Sequence, residues 1–243
     1  MHRSTRKAVY PHPCFCLPSP ALKSLDDLTA NADPAIDALR ALAAQSPRNA
    51  LWPVDESLAA RSLLALQVST RAMLGAQVHG TGGISAFDGR LRLLGSGGDA
   101  ARSLLGVNIA LGLRLEAASP PGLLVVADDV LGGMFALNGG ALGADHLGHV
   151  FWLPPDEMAW CDLEVGHSAF VSWCLTGEWD ALYASVQAPA AAAALAQPAP
   201  AFDQSWSFAP WLWTAEGQAA ADARVVPANE VLGLRLSLMG LGG

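Results

Sequence analysis

Between Leu123 and Gly177 the chain packs an apolar run, two adjacent acidic residues, two double-glycine turns and a Trp-rich stretch into one block, LLVVADDVLGGMFALNGGALGADHLGHVFWLPPDEMAWCDLEVGHSAFVSWCLTG. Leu123 to Ala127 is continuously apolar and of strand length, the pattern of a central strand covered on both faces. Gly132-Gly133 turns the chain into MFALN, Gly139-Gly140 leads through a loop to HVFWL, and Pro154-Pro155-Asp156 turns it again before MAWCDLEV. Short strands separated by such turns pair most simply as antiparallel neighbours. Ser168 to Leu175 then reads as a helix that stops at Gly177. The block therefore predicts a tightly turned β-meander closed by a helix. The fold class that follows is a single α+β domain, a mostly antiparallel sheet packed with several helices.

The flanking regions fit that class. DPAIDALRALAAQ offers Asp33 as a helix cap, Pro34 at the first helical position, and Ile36, Leu39 and Leu42 at near-helical spacing. A second helix is expected from Asp55-Glu56 through Leu66, followed after Gly75 by a switch to strand over Ala76 to His79. Asp88-Gly89 between ISAF and RLRLL carries the chemistry of a two-residue hairpin turn. Gly95-Ser96-Gly97-Gly98 precedes a helical stretch beginning at Asp99. Free amides there would favour an anion. However, the Lys-Ser/Thr ending of a P-loop and the dinucleotide spacing are both missing, so a tight turn capped by Asp99 is preferred. Glu178-Trp179-Asp180 opens a further helix. The Ala/Pro tract 188–201 is either a short helix after Pro189 or an internal linker. VLGLRLSLM is a last strand or helix.

Residues 1–23 carry Arg3, Arg6 and Lys7 ahead of AVYPHPCFCL, which outlines a basic segment followed by an apolar run. Pro11 and Pro13 interrupt that run and no small-residue cleavage site follows. A disordered extension is expected there, with the domain covering 24–243. No stretch approaches the roughly 20 apolar residues that span a bilayer, so the expected location is the cytoplasm. With 243 residues, 52% of them hydrophobic, one large core is affordable without staples. Cys161 and Cys174 accordingly read as buried free thiols, and Cys14-Phe-Cys16 as part of the tail. Fourteen basic against twenty-two acidic residues leave a net charge of -8. That balance argues against phosphate-backbone binding and so against nucleic acid as a partner.

No complete catalytic signature is present, and neither a cofactor nor a metal is expected. Asp128-Asp129 at the end of the apolar strand is the leading acidic candidate, because half-buried paired carboxylates share protons or hold ions. The preferred structural reading has one Asp accepting backbone N–H bonds from the Gly132-Gly133 turn and the other facing water. Asn138 closes MFALN and joins the polar binding candidates. His146, His149, Asp162, Glu164 and His167 supply imidazoles and carboxylates, without the helical spacing of a His-Glu-x-x-His enzyme. Ser168 lacks a nucleophile elbow. Trp206, Trp211 and Trp213 lie in an irregular stretch beside Pro210 and are candidates for a partner-facing surface, with core packing as the alternative.

The blocks LRLLGSG, LVVADDVLGGMFALNGGALG, VFWLPPDEMAWCDLEVGHSAFVSWCLTG and FDQSWSFAPWLWTAEG resemble, in this order, the bacterial family called domain of unknown function 2625, from about Ser24 to the C-terminus. That resemblance implies no activity and no catalytic residues. The succession ADDVLGGMFALN, HVFWL, SAFVSWCL also resembles, at the level of fold, the SUKH-type modules, which implies a non-catalytic binder of proteins with an immunity-like role. A protein-binding module is the expected function, with no membrane or nucleic-acid partner. The alternative is a small hydrolase or metal-dependent enzyme built on Asp128, Asp129 and the nearby histidines.

Overall fold

A computed structural model of the chain describes residues 21–30, 34–98, 102–113, 121–178 and 182–241. Its centre is a seven-stranded antiparallel sheet in which every strand lies beside its neighbour in sequence. The strands are β1 (Ala50–Trp52), β2 (Gly83–Ala86), β3 (Leu91–Leu94), β4 (Leu123–Asp129), β5 (Met134–Asn138), β6 (His149–Leu153) and β7 (Cys161–Gly166). The β2–β3 connection and those from β4 to β7 are short and close small loops, whereas β1 reaches β2 through two helices and β3 reaches β4 through a third. All residues of β4 are buried, as expected of a central strand in an apolar run.

The two faces of the sheet are covered differently. Helices α1 (Leu25–Thr29), α2 (Ile36–Ala43), α3 (Glu56–Leu66), α4 (Met73–Gly80) and α6 (His167–Thr176) pack against one another. They reach the sheet on the Phe135 face, where Phe135 lies 5.1 Å from Phe170 of α6, centroid to centroid. α5 (Leu104–Ala110) is pinned to β4 by Asn108, whose side chain accepts from the Val125 amide and donates to the Val125 carbonyl, both at 2.8 Å. Arg92 and Asp128 share the opposite face. It is covered by a C-terminal unit of β8 (Gln204–Ala209), α8 (Ala215–Ala219), β9 (Asp222–Pro227) and α9 (Ala228–Leu238), in which β8 and β9 form their own antiparallel pair. The Ala/Pro tract contains α7 (Pro189–Leu195), with Ala191 and Ala194 buried.

Several local expectations change. Residues 76–79 are helical, within α4, because Gly75 allows a close approach: a Cβ there would lie 2.1 Å from the Ser69 carbonyl oxygen. The β2–β3 turn has four residues instead of two, with Phe87, Asp88 and Gly89 all at positive φ and Ala86 paired with Leu91. Phe87 is held in that uncommon conformation by its neighbours, the Arg48 guanidinium 3.8 Å above its ring and the stacked Tyr183 ring at 5.9 Å. α2 starts at Ile36 from Ala35 with no side-chain cap, whereas Asp55 caps α3 by accepting from Ser57 and Leu58. α5 starts at Leu104, capped by Ser103. VLGLRLSLM is part of helix α9. Cys174 is buried as expected, but Cys161 is exposed because it begins edge strand β7. Asp33, Asp99, Trp179-Asp180 and Cys14-Phe-Cys16 lie outside the described residues.

Candidate functional site

The acidic pair at the end of β4 splits into two structural roles. Asp128 is fully buried, and it is paired on both oxygens: Arg92 Nε donates to Oδ1 at 2.8 Å and Arg102 Nη2 donates to Oδ2. The remaining guanidinium donors are also used. Arg92 reaches the Asp129 carbonyl at 2.7 Å and the Gln204 carbonyl, and Arg102 reaches the Phe202 carbonyl at 3.0 Å and Asn229 at 3.1 Å. Burial draws the Arg92 pKa down, opposed by the Asp128 charge. Two guanidinium groups, one on each oxygen, hold this buried carboxylate as an ion-paired anion, which disfavours a role in proton transfer. The expectation that the second Asp faces water is thus overturned, because two arginines distant in sequence cover it.

Asp129 fulfils the turn role. Its Oδ1 accepts from the Leu131 and Gly133 amides at 2.8 and 2.9 Å. Oδ2 is buried without a hydrogen-bond partner among the described residues, and burial pushes the carboxyl up to about 6. Gly133 is required by this packing: a Cβ at that position would sit 2.1 Å from Asp129 Oδ2.

Above Arg102, outside the buried ion cluster, a cleft of about 420 Å³ opens between the β1–β2 edge and the segment leading into β8. Its walls are Trp52, Ser85 and Phe202, and Asp88 and Asp203 lie at its rim. Trp52 meets Phe202 edge-to-face at 5.6 Å and donates Nε1–H to Ser85 Oγ at 2.8 Å. Phe202 fits over the sheet because Gly83 has no side chain, a Cβ there lying 2.7 Å from the Phe202 ring. Asp88 is engaged by Arg48 at 2.7 Å, while the exposed Asp203 carboxylate has no ion-pair partner among the described residues. None of the aspartate, histidine or tryptophan candidates singled out from the sequence lines this cleft, although the Asp88-Gly89 turn, Gly98 and the end of the Ala/Pro tract do. The available signal was a Trp in a short edge strand and a Phe after the Ala/Pro tract, 150 positions apart.

Among the described residues, one group of three metal-type side chains converges: His146, His149 and Asp162. His149 begins β6 and Asp162 lies on β7, where the register shifts between His149 and Phe151, so that β7 has additional residues and bulges. Glu164, exposed and at positive φ, marks that bulge, and its amide donates to Asp162 Oδ1 at 2.7 Å. Asp162 also accepts from both histidines through Nδ1, from His149 at 3.1 and 3.2 Å and from His146 at closer range. His146 arrives from the loop between β5 and β6, which is organised by buried Asn138. The Asn138 side chain accepts from the Gly140 and Leu142 amides and donates to the Gly143 and Asp145 carbonyls. Asn138 is therefore a scaffold for this loop. His167 stands apart, with both ring nitrogens buried and unpartnered among the described residues, and burial pulls its pKa down to about 4.

The aspartate pair and the histidine group do not form one site. Asp128 is level with Met134 and Leu153, whereas His149 lies four residues further along β6 and two strands away. At about 3.4 Å per residue and 4.8 Å per strand this is a separation of roughly 16 Å, too far for shared ligation of one ion. The anion reading of the glycine loop loses two of its donors, since the Ser96 and Gly97 amides donate to the Thr81 and Gly82 carbonyls at 2.9 Å.

The aromatic candidates divide as well. Trp206, half-buried on β8, donates its amide to the Val130 carbonyl at 2.8 Å. Trp211 and Trp213 stack in parallel at 5.0 Å, both half-buried, on either side of buried Leu212. The Arg235 guanidinium lies 5.2 Å from the Trp213 ring and donates to the Gly132 carbonyl at 2.7 Å and to the Pro154 and Glu157 carbonyls. Burial lowers the Arg235 pKa to about 10. This stack roofs a buried arginine that ties α9 to the turns of the meander.

The chain is 42% identical over 137 residues to the uncharacterized Escherichia coli (strain K12) protein YbfG, covering 56% of this chain and 61% of that protein. It is 38% identical over 130 residues to an uncharacterized protein of Haemophilus influenzae, covering 53% of this chain and 56% of that protein. The chain thus matches less than two thirds of the length of these relatives. No solved structure matches it. Residues 25–231, which hold the meander, the Arg92–Asp128–Arg102 cluster, the histidine group and most of the C-terminal unit, match one family, and the chain belongs to that family, described as protein of unknown function DUF2625.

Proposed function

We propose that the protein is a cytoplasmic, non-catalytic binding module that receives a side chain of a basic protein partner in the Trp52–Phe202 cleft. The observation that carries this reading is the cleft itself: aromatic walls beside an exposed sheet edge, with the exposed carboxylate of Asp203, unpaired among the described residues, at the rim. Tryptophan is enriched where interfaces concentrate their binding energy, and a charge of -8 would steer a basic partner. The burial of Asp128 between two arginines supports binding over hydrolysis at the acidic pair. The resemblance to SUKH-type modules adds a basic toxin as the partner class.

The test places a photo-crosslinking amino acid at exposed Ala201 in the full chain and irradiates cells of the source organism. One discrete basic protein is expected in the cross-link, and its affinity for the purified module should fall about ten-fold, or about 1.4 kcal/mol, in Asp203→Lys at low salt. Absence of any protein cross-link, or an affinity untouched by both Asp203→Lys and Trp52→Ala, rejects the reading.

A further inference from the structure

We infer that His146, His149 and Asp162 form a binding site for a borderline divalent transition ion, zinc being the representative. The inference stands independently of the cleft. The donor set is two imidazole nitrogens and one carboxylate, a combination that suits zinc-like ions. The donor atoms all lie within 4.8 Å of one another. Two ligands on a tetrahedral zinc at about 2.05 Å are about 3.3 Å apart. His149 Nδ1 already lies 3.1 and 3.2 Å from the two oxygens of Asp162. His146 Nδ1 is closer to Oδ2 than that spacing, and its place on an exposed loop lets it draw back by the remainder.

The surrounding structure holds these three side chains together. Asp162 is paired with Phe151 at the margin of the β7 bulge, and the Glu164 amide within the bulge orients its carboxylate, as outer-shell hydrogen bonds do for metal ligands. Asn138 gathers the loop that delivers His146, a residue at φ 58° in the left-handed region. The two imidazole rings meet edge-to-face at 5.1 Å and 73°, and both Nδ1 atoms converge on the Asp162 carboxylate. With His146 54% exposed, the fourth position faces water, giving an open three-ligand site in place of a closed structural one.

The test titrates full-length, chelator-stripped protein with Zn²⁺ alone, following heat by calorimetry and the imidazole nitrogens by NMR. Expected are one ion per chain and shifts of Nδ1 in His146 and His149. His146→Asn, which keeps a residue tolerant of positive φ, and Asp162→Ala should each weaken binding at least ten-fold. A triple variant His12→Ala, Cys14→Ser, Cys16→Ser and the single variant His79→Ala should bind as the parent does. Imidazole signals unmoved by Zn²⁺, equal affinity in His146→Asn, or binding lost only in the N-terminal triple variant would each overturn the site and leave His146, His149 and Asp162 as a hydrogen-bonded cluster.

Discussion

Asp129 is buried and His167 is partly covered with both ring nitrogens buried, and their shifts run in opposite directions over nearly the same pH range. Asp129 rises from 3.8 to about 6, so the folded state holds its proton more tightly. Its contribution to stability is complete below pH 3.8 and is lost as pH rises through about 6. His167 falls from 6.5 to about 4, so its contribution is complete above pH 6.5 and is lost as pH falls through about 4. Each shift corresponds to at most about 3 kcal/mol, and together they largely cancel. Urea unfolding of Asp129→Asn between pH 4 and 6.5 should therefore show stability rising with pH more steeply than in the parent. His167→Phe should show the opposite change of slope. Parallel profiles in both variants would show that neither burial matters energetically. The Asp129 turn was legible in the sequence, since an Asp before a Gly-Gly turn has amides within its own reach. The isolation of His167 was not, because its neighbours come from packing.

At the scale of elements, the loop after β5 behaves as a unit organised by one side chain. Asn138 makes four hydrogen bonds to backbone between Gly140 and Asp145. Asn138→Ala should lower stability by about 1–3 kcal/mol and speed amide exchange across residues 139–148, leaving β4 protected. Exchange confined to the parent rates would mean that the glycine turns hold the loop unaided. The Ala/Pro tract shows a related dependence on context. Its helix α7 buries Ala191 and Ala194, and the carbonyl of Leu195 at its C-terminal end accepts from Arg90 at 2.8 Å. Composition left that segment open because Ala favours helix while the prolines break it, and the deciding arginine is 105 residues away.

For the whole molecule, the Arg92–Asp128–Arg102 cluster joins the meander to its C-terminal cover. Arg92 and Asp128 are paired across β3 and β4, and both arginines donate to carbonyls at or before the start of β8. Removing one member of a buried ion pair costs about 3–5 kcal/mol, because the remaining charge is uncompensated. Asp128→Asn should show that loss by thermal or urea unfolding, with amides of β8 and β9 exchanging before those of β4 to β6. A substitution that leaves the midpoint unchanged would show the cluster to be dispensable. Among the described residues, no helix is long and apolar enough to cross a membrane.

What the sequence determined by itself was the set of features that depend on near neighbours. The apolar run of β4, the Gly and Pro turns that separate β5, β6 and β7, the helix that ends at Gly177 and the Asp55 cap are all written in local period and turn chemistry. Those signals sufficed for an antiparallel α+β meander. Tertiary structure alone decided that residues 76–79 are helix, that Asp128 lies under two arginines, and that Trp52 faces Phe202. It also decided that His146 and His149 meet Asp162 while Asp128 remains distant. These juxtapositions rest on strand register, on a bulge in β7 and on which segment covers which face. A one-residue change of register turns a strand's side chains to the opposite face, so the composition of a site is set by pairing geometry that spacing along the chain does not encode.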